Sequence, residues 1–188
     1  MTEDLLALRD RLYESYASQH SGRGSADATR VIYRRDIRPL LPPPPAGPVV
    51  DIGCGSGQLI RCLLTDGYDA SGVDVSPEQV ALARAAGLEQ VMRGDYLGLL
   101  RDCPRQLAAV TATDLLEHLT KIEVLATFDA VATALRPGGK FIAYSSDALP
   151  VIGDGIAIVI VDAETGRRVR RIPPPRGMDL YPIDWTGK

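Results

Sequence analysis

Cysteine is scarce in this chain: Cys54, Cys62 and Cys103 are the only three, an odd number without CxxC spacing. That excludes a disulfide framework and points to a reducing compartment. An excess of positive charge is also missing. Twenty-one Lys and Arg stand against 24 Asp and Glu, a formal charge of −3, which argues against the basic surface that nucleic acid binding favours. Long apolar runs are absent as well. The longest, 156–161, is far short of the roughly 18 residues a membrane span needs. The acidic start MTEDLLALRD lacks the basic residues and apolar stretch of a signal peptide. The expectation is a cytoplasmic protein with no membrane or nucleic acid partner.

What is present is an ordinary globular composition, 45% hydrophobic and 24% charged over 188 residues, enough for one domain with its own core. Residues 1–20 read as a helix, with Leu5, Leu8, Leu12 and Tyr16 recurring every three to four positions. Gly22 and Gly24 interrupt it, and Ser25 can cap a second helix to about 37. The prolines at 39 and 42–45 then act as a stiff spacer. Strand-like segments at 49–52, 70–75, 89–93, 107–113 and 140–145 alternate with helix-like segments at 58–66, 77–86 and 121–135. This alternation predicts an α/β fold, a doubly wound, mostly parallel sheet of Rossmann-like type with helices on both faces. It is preceded by a helical extension and followed by a C-terminal β-hairpin from 156–161 and 167–172.

The most informative segment is Val49-Val50-Asp51-Ile52-Gly53-Cys54-Gly55-Ser56-Gly57-Gln58, at the turn from first strand to first helix. Ligands of open parallel sheets bind beyond the carboxyl ends of the strands. Glycines there let backbone approach a ligand closely. The dinucleotide pattern GxGxxG fails, because position 58 is Gln, and the Gly-Lys-Ser/Thr of a P-loop is absent. The D-x-G-x-G-x-G order resembles motif I of the class I S-adenosylmethionine-dependent methyltransferases. Asp74 ending the second strand, Gly94-Asp95-Tyr96 after the third, and Arg136-Pro137-Gly138-Gly139 before the fifth follow that family's order.

The resemblance covers about 49–146. It implies an S-adenosylmethionine-binding domain over 48–146, an N-terminal helical cap and proline-rich linker over 1–47, and a shortened C-terminal segment, 147–188, completing the sheet. It also implies roles for residues. Asp51, Gly53, Cys54, Gly55 and Gly57 surround the methionine part of the cofactor. Asp74, with Val75 beside it, holds the ribose; Asp95 and Tyr96 flank adenine; and Asp114 lies near the cofactor.

An oxygen acceptor needs a base near the end of the fourth strand. Asp114, Glu117 and His118 stand there at i, i+3 and i+4, so one helical turn would place all three on one face. His118 as a base oriented by Glu117 is the catalytic reading. Two others stay open: local hydrogen bonding that shapes the cleft, and metal ligation, since the stretch is similar to the E-x-x-E-H of ubiquinone-pathway O-methyltransferases with Asp in place of the first Glu. The arginines at 30, 34, 35 and 38 form a solvated helix face or recognise an anionic or sugar acceptor, and Arg167, Arg168, Arg170 and Arg171 read as a charged edge strand. The function expected is methyl transfer to a small molecule, at oxygen. A non-catalytic cofactor-binding subunit that needs a partner is the alternative, and homo- or hetero-oligomerisation is left open.

Overall fold

The computed structural model of the protein describes residues 26–145 and two strands at 157–162 and 168–172. The helix expected over 1–20 and the turn of the expected C-terminal hairpin lie outside the described residues. In chain order the elements are α1 (Ala26–Ile32), a π-turn (Tyr33–Ile37), 3-10 turns at Arg38–Leu40 and Pro44–Ala46, β1 (Val49–Ile52), α2 (Gln58–Thr65), β2 (Ala70–Asp74) and α3 (Pro77–Ala85). There follow β3 (Val91–Arg93), α4 (Tyr96–Arg101), β4 (Leu107–Thr113), a 3-10 turn (Leu116–His118), α5 (Lys121–Ala134), β5 (Leu135–Ser145), β6 (Ala157–Asp162) and β7 (Arg168–Ile172). The sheet order is β3-β2-β1-β4-β5-β6-β7. The first five strands in this order pair in parallel, and β6 and β7 add antiparallel.

Alternate residues of the central strands feed two cores. Val49, Ala109 and Ile142 pack with α2, α3 and the π-turn, while Val50, Val110 and Phe141 pack with α4 and α5. A strand covered on both faces must be apolar throughout, and β1 is buried at all four positions. Phe128 of α5 meets Phe141 edge-to-face, centroids 5.7 Å apart.

Helix starts follow local chemistry. Ser76 caps α3, with Pro77 at its first position, and Thr120 and Glu123 form a capping box on α5. Two sequence expectations are corrected. Helix α4 has no counterpart in the periodicity, because it is six residues long and organised by the cap of Asp95. The fifth strand begins at Leu135, not Lys140: Leu107 pairs with Leu135 and Ala109 with Lys140, so three extra residues bulge out at Arg136–Gly139. Gly138 has φ +73° there, and a Cβ on Gly139 would lie 2.9 Å from the Arg136 carbonyl.

Candidate functional site

At the carboxyl ends of β1, β2, β3 and β4 lies a cleft of about 430 Å³, a volume suited to a small-molecule cofactor. The turn after β1 builds one wall. The Gly53 and Cys54 N–H groups donate to the Val73 carbonyl at 2.9 and 3.2 Å, and Gly57 N–H closes the turn on the Cys54 carbonyl. Gly53, Gly55 and Gly57 all have positive φ, where a side chain is strained.

The three glycines do different work. A Cβ on Gly55 would find only Gln79, at 3.7 Å, so the backbone is bare toward the cleft. A Cβ on Gly57 would lie 2.6 Å from Leu88 Cδ1 and 3.2 Å from Val91 Cγ2. Gly57 therefore permits packing of the turn on the β2–β3 side and does not line the cleft, contrary to its expected cofactor contact.

Asp74 links this wall to the next. One carboxylate oxygen accepts from Gly55 N–H and the other from Ser76 N–H, both at 2.8 Å. Burial raises its pKa, and the N–H groups of Ser76 and Gly55 pull it back down. Val75 beside it is 46% exposed, an apolar surface facing the cleft. Asp95 lines the opposite wall, but its carboxylate caps α4, accepting from Leu97 N–H at 3.0 Å and Gly98 N–H at 3.1 Å. The Tyr96 hydroxyl lies 2.9 Å from Thr127 Oγ1, whose own proton goes to the Glu123 carbonyl. The tyrosine thus donates, which pins its ring along the wall.

The turn after β4 corrects the expected helical face. Asp114 has φ +51°, held there by its N–H donating to the Tyr144 carbonyl at 2.8 Å, and the single 3-10 turn begins only at Leu116. Asp114 and His118 line the cleft; Glu117 does not. The Glu117 carboxyl bonds to the side chains of Ser145 and Asp114, and burial, followed by the Asp114 charge, pushes its pKa up to about 7. Its Oε2 is buried without a partner. Glu117 is therefore partnered below the cleft, away from His118. The donor sets do not converge, and among the described residues no group of three or more His, Cys, Asp or Glu is placed to hold a metal ion. The three residues do not fit a metal site.

Asp51 also lies behind the cleft. It is 0% exposed, accepts from Thr111 Oγ1 at 2.7 Å and leaves Oδ2 unpartnered; burial pushes its pKa up to about 7. Of the residues expected at the cofactor, Gly53, Cys54, Gly55, Asp74, Val75, Asp95, Tyr96 and Asp114 line the cleft, and Asp51 and Gly57 support it from behind. Sequence reasoning missed Thr29, Gln79, Leu115, Leu119 and Glu123. Leu115 and Leu119 flank the 114–118 stretch and were findable from it; Thr29 reaches the cleft only through tertiary packing. The N-terminal arginines are turned to structural use: Arg30 pairs with Asp27 at 3.3 Å, Arg35 with Asp36, and Arg38 with Asp66, which also accepts from Tyr33.

Residues 49–139 match a family model described as a methyltransferase domain. The chain is 32% identical over 142 residues to a ubiquinone biosynthesis O-methyltransferase of Xanthomonas campestris pv. campestris (strain B100), covering 73% of this chain and 56% of that protein. It thus spans about half the length of the curated relatives it matches. Its fold is similar to that of a SAM dependent methyltransferase from Archaeoglobus fulgidus, with TM-score 0.61, 21% identity, and 70% and 58% of the two chains covered. It is also similar to an S-adenosylmethionine dependent methyltransferase from Mesorhizobium loti, with TM-score 0.51, 26% identity, and 65% and 56% covered.

Proposed function

Because this chain belongs to the class I S-adenosylmethionine-dependent methyltransferase family, we propose that it moves a methyl group from S-adenosylmethionine to a hydroxyl oxygen of a small-molecule acceptor. One observation carries this reading. The Asp74 carboxylate ties the glycine turn to the start of α3, at the mouth of a cleft beyond the strand ends.

The residues present fit the cofactor. Gly55 offers bare backbone, Asp74 keeps lone pairs for two adjacent ribose hydroxyls, and Val75 and the Tyr96 ring supply apolar faces for a base. When bound, S-adenosylmethionine supplies an electrophilic methyl carbon on a positively charged sulfur. The chain's own task is alignment: holding the acceptor oxygen opposite the departing sulfur, an orientation effect of several kcal/mol. His118, on the cleft wall, takes the hydroxyl proton as the acceptor oxygen forms its new bond. Asp114 accepts a hydrogen bond from the acceptor and is steadied by Glu117 beneath it. The name of the Xanthomonas relative, an O-methyltransferase, supports oxygen as the acceptor atom. We place the reaction in the cytoplasm, in keeping with three free cysteines. Among the described residues, no helix is long and apolar enough to cross a membrane.

Calorimetric titration with S-adenosylhomocysteine, paired with transfer of labelled methyl to metabolite extracts, tests the proposal. Saturable binding with label in a small product supports it. Absence of binding overturns it.

A further inference from the structure

Every charged carboxylate on the described cleft wall is unmatched by a basic side chain lining the same cleft. Asp74, Asp95, Asp114 and Glu123 face it, and among the described residues no lysine or arginine does, leaving His118 as the one lining side chain that can carry positive charge. The arginines nearest in sequence are spent elsewhere, on Asp27, Asp36 and Asp66. The partners of the four acids do not cancel their charge. Asp74 and Asp95 accept from neutral backbone N–H groups, and Glu123 accepts from the Thr120 N–H and hydroxyl in its capping box.

Asp114 has the most pointed position of the four. A non-glycine residue at φ +51° is uncommon, and such strain gathers at functional sites. Here it turns the carboxylate out of β4 toward the cleft, against the Tyr144 carbonyl behind it. An acceptor bearing a carboxylate or phosphate would have to shed water beside these acids with no counter-charge to receive it.

We infer that Asp114, backed by Glu123, is a specificity determinant that excludes anionic acceptors, so that the substrate of the proposed reaction is a neutral or cationic hydroxyl compound. This rests on the methyltransferase reading above. Hydroxyl and ammonium groups can donate to Asp114; a carboxylate can only oppose it.

The test uses full-length protein saturated with S-adenosylhomocysteine and a ligand-observed NMR screen of hydroxylated aromatic and sugar fragments. Each neutral compound is matched with an analogue that adds one carboxylate. The expected result is that binders come from the neutral or cationic members, with each carboxylate analogue at least tenfold weaker, and that Asp114→Asn narrows that gap about tenfold. Asparagine suits a left-handed backbone, so this variant keeps the turn. Glu123→Gln, which preserves the capping box, should narrow the gap in the same direction. Carboxylate analogues binding as well as their neutral partners, no neutral or cationic binder at all, or a gap unmoved in both variants would each overturn the inference. Failure of S-adenosylhomocysteine to bind in the preliminary calorimetry strikes the functional reading itself, which keeps the two failures apart.

Discussion

Replacing Asp74 with alanine tests the hinge of the site, because one carboxylate joins two walls of the cleft. In the free protein the change strips the acceptor from Gly55 N–H and Ser76 N–H, both held at 2.8 Å. Hydrogen bonds to a charged group contribute about 1.5–3 kcal/mol each. Water reaching this half-buried position recovers part of that, so the expected loss of folding stability is about 2–4 kcal/mol. The loss should appear as a lower urea midpoint with an unchanged slope, since the exposed surface on unfolding is the same. Cofactor affinity falls further, because the variant lacks both the ribose acceptor and the ordered turn. A drop of at least about a hundredfold, or ~2.7 kcal/mol, is expected in calorimetric titration with S-adenosylhomocysteine. The stabilisation that the ligand gives the wild-type protein should then vanish at the same ligand concentration. Two results would refute the reasoning. A urea midpoint unchanged within error means the carboxylate does not organise the turn, and an undiminished affinity means the cofactor binds elsewhere.

Further outcomes follow from the buried parts of the fold. Gly57→Ala combines a left-handed backbone penalty of about 1–2 kcal/mol with overpacking against Leu88 and Val91. Chemical denaturation should show about 2–4 kcal/mol of destabilisation, where an exposed loop glycine would show little. Asp51 has its pKa raised by burial from 3.8 to about 7, so the folded state binds its proton more tightly than the unfolded chain does. Stability attributable to this residue is therefore present below pH 4 and is lost as pH rises toward 7, at about 1.4 kcal/mol per pH unit. Asp51→Asn should flatten the stability profile across that window, measured by urea melts at successive pH values; an unaltered profile would show that Asp51 is charged throughout.

The strand-helix alternation was legible because central parallel strands, covered on both faces, are continuous apolar runs such as Val49–Ile52, and because Ser76-Pro77 and Thr120-x-x-Glu123 announce helix starts through local hydrogen bonds. Helix α4 was not legible, since six residues are too few for a period to show. The bulge at Arg136–Gly139 was not legible either, because its register depends on β4.

The candidate site divides in the same way. The glycine spacing and the acid at the end of β2 are properties of consecutive residues, and those alone pointed to a nucleoside cofactor of the S-adenosylmethionine type. Which side each residue faces depends on partners far away in the chain. Asp51 is drawn behind the cleft by Thr111, 60 residues on. Gly57 is occupied by packing against Leu88 and Val91. Glu117 is held under the floor by Ser145 and Asp114, because a 3-10 turn has a different angular step from the α-helix that the i, i+3, i+4 spacing assumes. The sequence by itself determined the layered α/β plan and the cofactor class, through periodicity and turn chemistry. Only the tertiary structure decided which acids face the ligand and which are buried, since side-chain direction is set by long-range packing and hydrogen bonds that no local pattern encodes.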